Sequence, residues 1–290
     1  MPLFAITGIT GHVGSAAAHR LLAQGARVRA VVRSKAGANA WRDKADETAM
    51  ASIDDPQALT RAFDGVDGVY VMTPTWFESA DMFAENVRAV AALGQALRAT
   101  RPERIVLLSS IGAQHAAGTG AILKLHHMEQ AFGDLAGVIA LRAGWFMENY
   151  AGLVSHVRAT GVLPSTLAPL DRTHPMVATR DIGHIVADFL LGTTRGHGIV
   201  ELEGPRRYGP NDVAAAFSKV LGRPVEAHIL PPSEWLGVYA QWGLTSRSAA
   251  AMSEMLAGFN SGHIVFQKSQ ADTLHGLTTL EQVLAKVANG

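Results

Sequence analysis

The sequence contains no cysteine. Disulfides, thiolate catalysis and cysteine-ligated metals are therefore excluded. It also lacks a long apolar run: no stretch approaches the roughly 20 residues a membrane-spanning helix needs. The first residues, MPLFAITGITG, lack the basic segment that opens a secretory signal and run straight into glycines. The expected compartment is the cytoplasm, with no membrane partner. An excess of one charge is missing too, since Lys+Arg and Asp+Glu each total 25. A nucleic-acid partner, which calls for a basic face, is not expected. Charged residues make up only 17% and hydrophobic ones 48% of the 290 positions. That balance excludes a disordered chain and suits a large α/β domain with a smaller appendage.

What is present is a regular alternation. Leu3 to Thr7 reads as a short buried strand, Val13 to Ala23 as a helix ending near Gly25, and Val28 to Val32 as a second strand. Strand, glycine loop, helix and strand within about thirty residues make a βαβ unit. Further strands are expected at Thr48–Ser52, Val69–Met72, Arg104–Ser109 and Val138–Leu141. Helices are expected at Pro56–Phe63 (capped by Asp54 or Asp55), Ala80–Thr100 and Ile122–Phe132. This predicts an α/β fold: a Rossmann-type, doubly wound parallel sheet covered on both faces. Beyond Tyr150 prolines break the rhythm. Residues 1–150 are thus expected to form the dinucleotide-binding domain, and 151–290 a small, mainly helical C-terminal lobe. A helix at Thr179–Leu191 and a strand at Gly198–Glu203 would carry about 176–204 back to the core. The pieces Asn211–Leu221 and Ser233–Phe259 would form a helical cap.

The loop after the first strand reads Gly8-Ile9-Thr10-Gly11-His12-Val13-Gly14, a G-x-x-G-x-x-G pattern. Gly8 permits the turn out of the strand, Gly11 lets the backbone approach a pyrophosphate, and Gly14 permits close packing of the helix. The helix end favours a phosphate. An NAD-specific site carries an acid at the end of the second strand. This chain has Val32-Arg33-Ser34-Lys35 there. Arg33 offers a planar fork to a 2′-phosphate, Lys35 adds charge and Ser34 a hydrogen bond. The expected cofactor is NADP(H) rather than NAD(H).

Together with the stretches LTRAFDGVDGVYVMTP, RIVLLSSIGA, LHHMEQAF and LRAGWFMENY, this loop resembles the NmrA-like family of atypical short-chain dehydrogenases/reductases. The similarity is to its branch of bacterial NAD(P)H:quinone oxidoreductases and triphenylmethane dye reductases, and it runs through RDIGHIVADFLL and VELEGPRRYGPNDVAAAFSKVLGRPV to cover nearly the whole chain. The resemblance implies that Thr10, Gly11, His12 and Val13 hold the pyrophosphate. Ser52 (where the family commonly has Asp) and Ile53 would border the adenine, and Thr73 and Pro74 the ribose and pyrophosphate. Trp145, Phe146, Asn149 and Tyr150 would line the nicotinamide end, an aromatic floor that suits a flat acceptor. A homodimer is implied as well.

Catalytic short-chain dehydrogenases use serine and a Tyr-x-x-x-Lys pair, in which the tyrosine exchanges a proton with substrate. Ser110 matches the serine. The tyrosine is missing: Tyr70, Tyr150, Tyr208 and Tyr239 are the only ones, none has lysine four residues on, and Gly120 stands four residues before Lys124. Ordinary alcohol dehydrogenase chemistry is not expected. The remaining catalytic candidates are His126, which with Glu129 matches the family's H-x-x-E and shares a helix face with it, and Lys124, the proton source in isoflavone-reductase-like relatives. No metal is expected, because His126 and His127 point to different helix faces. The expected function is an NAD(P)H-dependent oxidoreductase that delivers hydride to a quinone-like or other conjugated small-molecule acceptor. The alternative is an NmrA-like redox sensor that binds NAD(P) without catalysis and reports through a regulatory protein partner.

Overall fold

The structure is a computed structural model and describes residues 1–194, 196–267 and 272–289. In chain order its elements are β1 (Leu3–Ile6), α1 (His12–Ala23), β2 (Arg27–Val32), α2 (Lys35–Trp41), β3 (Glu47–Met50), α3 (Pro56–Phe63), β4 (Gly68–Val71), α4 (Met82–Thr100), β5 (Arg104–Ser110), α5 (Leu123–Phe132) and β6 (Val138–Ala143). There follow β7 (Trp145–Phe146), α6 (Val154–Thr160), β8 (Val162–Ser165), β9 (Met176–Val177), α7 (Thr179–Leu191), β10 (Gly198–Glu203), α8 (Pro210–Leu221), β11 (Glu226–Ile229), α9 (Pro232–Gln241), α10 (Ser246–Ser261), β12 (Asp272–His275) and α11 (Leu280–Asn289).

Eight parallel strands form one sheet in the order β12-β10-β6-β5-β4-β1-β2-β3. Such a sheet is buried on both faces, which is why β1 is apolar throughout. Its side chains alternate: Phe4 and Ile6 pack with α1 and α7, whereas Leu3 and Ala5 pack with α3 and α4. Each large side chain buried this way contributes roughly 1.5–3 kcal/mol. Charged side chains enter the sheet at a few places, one of them beside the edge strand β3. There Arg27 and Arg29 of β2 reach Glu47 of β3 at 2.6 and 2.7 Å. α1 and α7 approach closely because Gly183 has no side chain; a β-carbon there would lie 2.5 Å from Cβ of Ala16.

Local signals set the helix starts. Asp55, rather than Asp54, caps α3 by accepting the N–H groups of Gln57 and Ala58 at 3.0 and 2.9 Å. Asp81 does the same for α4, so that helix begins two residues later than its periodicity suggests. The cap expected over Ser233–Phe259 is two helices, α9 and α10, parted at Gly243 (φ +76°). α2, α6, the β8–β11 pair and the edge strand β12 are not among the elements expected from the sequence, nor is α11, although Leu280, Val283, Leu284 and Val287 recur there at helical spacing. A further apolar cluster joins Val157, Leu163, Phe217, Trp235, Leu256 and Leu284 to Ile111, Ala113 and Ile122 of the β5–α5 segment. Among the described residues no helix is long and apolar enough to cross a membrane. The strand order reverses between β1 and β4, so the carboxyl ends of these two strands open onto a crevice, the usual place for a ligand in an open α/β sheet.

Candidate functional site

The glycine loop lies at that crevice. Thr7 fixes the end of β1: its N–H and hydroxyl both donate to the Tyr70 carbonyl, and its Oγ1 accepts the Met72 N–H at 3.2 Å. Gly8 then turns at φ +59°, and a β-carbon there would meet Met72 Sδ at 2.7 Å. Gly11 N–H closes the turn onto the Gly8 carbonyl at 2.9 Å. At Gly14 a β-carbon would lie 2.5 Å from that same carbonyl oxygen, so the third glycine permits the helix to fold back on the loop itself. Gly11 caps α1 without a side chain, and no acid stands in the first turn. Thr10, Gly11 and His12 are exposed, while Val13 and Gly14 are buried. The result is a cradle of backbone donors at the positive end of a helix, with room left by missing β-carbons. It fits a dinucleotide pyrophosphate.

The end of β2 meets this cradle. Ser34 caps α2 by accepting the Gly37 N–H at 3.2 Å, and a β-carbon on Gly37 would lie 3.4 Å from Thr10 Cγ2. Arg33 and Lys35 are exposed and, unlike Arg27 and Arg29, have no ionic partner among the described residues. The hydroxyl of Ser52 is exposed and donates to the carboxylate of Asp54, which supplies an acid two residues after the family's position. Ile53 packs on the α3–α4 layer. Thr73 is buried, and its Oγ1 has no hydrogen-bond partner among the described residues, so it could bond a ligand there. Pro74 follows directly, and its carbonyl accepts from Lys124 Nζ at 3.2 Å.

Around β5 and α5 the side chains part company. Lys124 is 4% exposed; Nζ also donates to the Thr75 carbonyl at 3.1 Å and sits over the Trp76 ring. Burial lowers its pKa to about 8. It thus fastens the loop after β4. Ser110 donates to the Ile111 carbonyl at 3.0 Å. His126 bonds through Nδ1 to the Ala113 carbonyl at 2.8 Å. A carbonyl only accepts, so Nδ1 carries the hydrogen and Nε2 remains for other use. Glu129 does not pair with His126. It turns toward the sheet, where Arg142 grips it with two bonds of 2.9 and 2.6 Å and Ser109 donates to it. This buried Ser109–Glu129–Arg142 group escapes sequence reasoning. Its one visible signal is an arginine inside the apolar strand β6.

Gly120 explains the missing tyrosine. It turns at φ +51°, and a β-carbon there would overlap the Ala251 carbonyl oxygen and lie 2.6 Å from the Met255 nitrogen. The backbone of α10 occupies the space into which a side chain at 120 would project.

Beyond β6, Trp145 and Phe146 are half-buried, Asn149 is exposed and Tyr150 is buried. Burial raises the Tyr150 pKa well above its ordinary value, so its phenol stays protonated throughout the neutral range. Trp145 stands edge-on to Phe259 of α10, with ring centres 5.4 Å apart, and its indole N–H has no partner among the described residues. The glycine cradle, the loop after β4, the β5–α5 loop and the Trp145 segment all follow carboxyl ends of strands in the one sheet. The NmrA-like family profile matches residues 3–284.

The chain belongs to the NmrA-like family.

Among the relatives of this family member, the NAD(P)H azoreductase of Xenophilus azovorans is 25% identical over 87% of this chain and 85% of its own length. The (4-alkanoyl-5-oxo-2,5-dihydrofuran-3-yl)methyl phosphate reductase of Streptomyces griseus subsp. griseus is 30% identical over 76% of this chain and 74% of its own. The crystal structure of an NADPH-dependent quinone oxidoreductase from Escherichia coli, in complex with NADPH, superimposes with a TM-score of 0.79. It covers 100% of this chain and 99% of the other at 22% identity.

Proposed function

We propose that this NmrA-like protein is an NADPH-dependent reductase that delivers hydride to a quinone-like or other conjugated acceptor. The observation that carries the reading is the closure of position 120 by α10. Reduction of a simple ketone creates a strongly basic alkoxide and calls for a positioned acid. A conjugated acceptor instead yields a delocalised, weakly basic product that water can protonate. Catalysis then rests on holding the acceptor in place. Relatives that reduce azo compounds, a furanone phosphate and quinones support this substrate class.

Gly8, Gly11, Gly14 and the Thr10–Val13 backbone would hold the pyrophosphate. Arg33, Ser34 and Lys35 would hold the 2′-phosphate, Ser52 and Ile53 the adenine, and Thr73 and Pro74 the ribose. When bound, NADPH supplies the hydride. Trp145, Phe146, Asn149 and Tyr150 wall the acceptor, and His126 Nε2 lies open for polarising it. Ser110 and Lys124 would border the acceptor, and Lys124, which fastens the loop after β4, is a candidate for a proton reserve.

The test is NADPH oxidation, followed by absorbance, with a panel of quinones and cationic dyes. Saturable turnover above the uncatalysed rate is expected. NADPH binding without turnover on any acceptor would overturn the reductase reading and favour a redox sensor.

A further inference from the structure

A second cavity, of about 320 Å³, opens beside the Trp145 segment. Its walls include Arg172, His174, Arg207, Phe259, Ile264 and Phe266. His174 and Pro175 lead into β9, which pairs with β7, and the backbone N–H of Trp145 donates to the Pro175 carbonyl at 2.8 Å. Phe259 stands between the two rings, edge-on to Trp145 and, at 5.8 Å, to His174. The cavity is therefore one side chain away from the proposed acceptor floor.

Its polar groups share one character. Among the described residues that line it there is no acid, and there are two arginines. Arg172 donates to the Asn260 carbonyl, a neutral partner that leaves its charge uncompensated. Arg207 pairs through Nε with Glu203 at 2.8 Å, which leaves its two terminal nitrogens without a partner among the described residues. His174 is 4% exposed, and its Nε2 has no hydrogen-bond partner among the described residues. Burial and the nearby Arg172 charge lower its pKa to about 4, so the ring is neutral near pH 7 and can accept or donate one hydrogen bond. A buried polar atom left without a partner costs stability, and the residue that carries this one lines the cavity. Planar guanidinium forks suit carboxylate, sulfonate or phosphate oxygens, and the aromatic and aliphatic walls suit a flat body attached to such an anion.

We infer that this cavity is an acceptor subsite for an anionic substituent. The acceptors it selects are conjugated molecules bearing a carboxylate, sulfonate or phosphate, with the anion against Arg207 and His174 and the conjugated body toward Trp145. The inference rests on the reductase reading for the word acceptor; the anion site itself does not.

Two measurements separate the two. In the first, benzenesulfonate is titrated into the nucleotide-loaded protein while the His174 ring resonances are followed by NMR. A saturable shift is expected, with at least a tenfold weaker apparent affinity in Arg207→Gln and an intermediate one in Arg207→Lys, which keeps the charge and the fold. In the second, kcat/KM is compared for 1,4-naphthoquinone and its 2-sulfonate. The ratio in favour of the sulfonate is expected to fall at least tenfold in Arg207→Gln, each acceptor serving as its own control for redox potential. Quinone turnover with no saturable His174 shift, or with a ratio that Arg207→Gln leaves unchanged, overturns the subsite and leaves the reductase reading standing. A saturable shift without turnover of any acceptor keeps the anion site and overturns the reductase reading.

Discussion

Replacing Gly120 by alanine tests the claim that α10 closes the place of a catalytic tyrosine. Two costs combine. The backbone at φ +51° lies in the left-handed region, where a β-carbon costs roughly 1–2 kcal/mol. The new carbon also overlaps the Ala251 carbonyl oxygen and crowds the Met255 nitrogen, both backbone atoms in a packed helix that cannot rotate away. Overpacking of this kind costs typically 1–3 kcal/mol. Gly65→Ala is the matched control, because Gly65 turns at φ +68° with nothing within 4 Å of a β-carbon. Both substitutions stiffen the unfolded chain alike, so that effect cancels. Gly65→Ala is expected to show the backbone cost alone, and Gly120→Ala about 2–5 kcal/mol in all. At roughly 2 °C per kcal/mol for a chain of this size, that is a fall in melting temperature of about 4–10 °C, read by calorimetry or circular dichroism. Equal shifts for the two variants would refute the packing argument. Gly120→Tyr, which restores the Tyr-x-x-x-Lys spacing, should dislodge α10 and gain no alcohol oxidation.

Three other outcomes are expected. Arg33→Ala should weaken NADPH binding about tenfold or more and leave NADH binding nearly unchanged in parallel titrations, the loss expected for one charge-assisted contact; equal losses for both nucleotides would sink the 2′-phosphate assignment. Arg142→Met strands the buried Glu129 carboxylate and should cost about 3–5 kcal/mol in urea unfolding, whereas Arg142→Met with Glu129→Leu should recover most of it; additive losses would mean the pair is not coupled. Lys124 has a folded pKa of about 8, below its unfolded value of 10.5. The unfolded chain therefore binds more protons between those values, and this contribution to stability is fully present above pH 10.5 and lost as pH falls through about 8. Urea unfolding compared at pH 8 and pH 10 should show a gain of about 2 kcal/mol in the unmodified protein that Lys124→Met lacks.

The sequence alone determined the βαβ opening, the succession of strands through β6, and the tight glycine loop between β1 and α1. These rest on interactions within a few residues: apolar period, caps such as Asp55, and turns such as Gly8 that only glycine makes without strain. The basic end of β2 was legible for the same reason. What only the tertiary structure decided are contacts between residues far apart in the chain. Spacing places His126 and Glu129 on one helix face, but the desolvated Glu129 carboxylate requires a charged partner, and Arg142 on the sheet satisfies it. Four residues before Lys124 the sequence shows only a glycine; the helix that makes any side chain there impossible lies some 130 residues further on. The edge strand β12 has no apolar run of its own and forms because β10 offers it a ladder. The cavity joining His174, Arg207 and Phe259 likewise comes from three separate segments. Local rules specify how each segment folds, but they do not specify which side chain faces which across the packed layers, and that pairing sets the chemistry of the site.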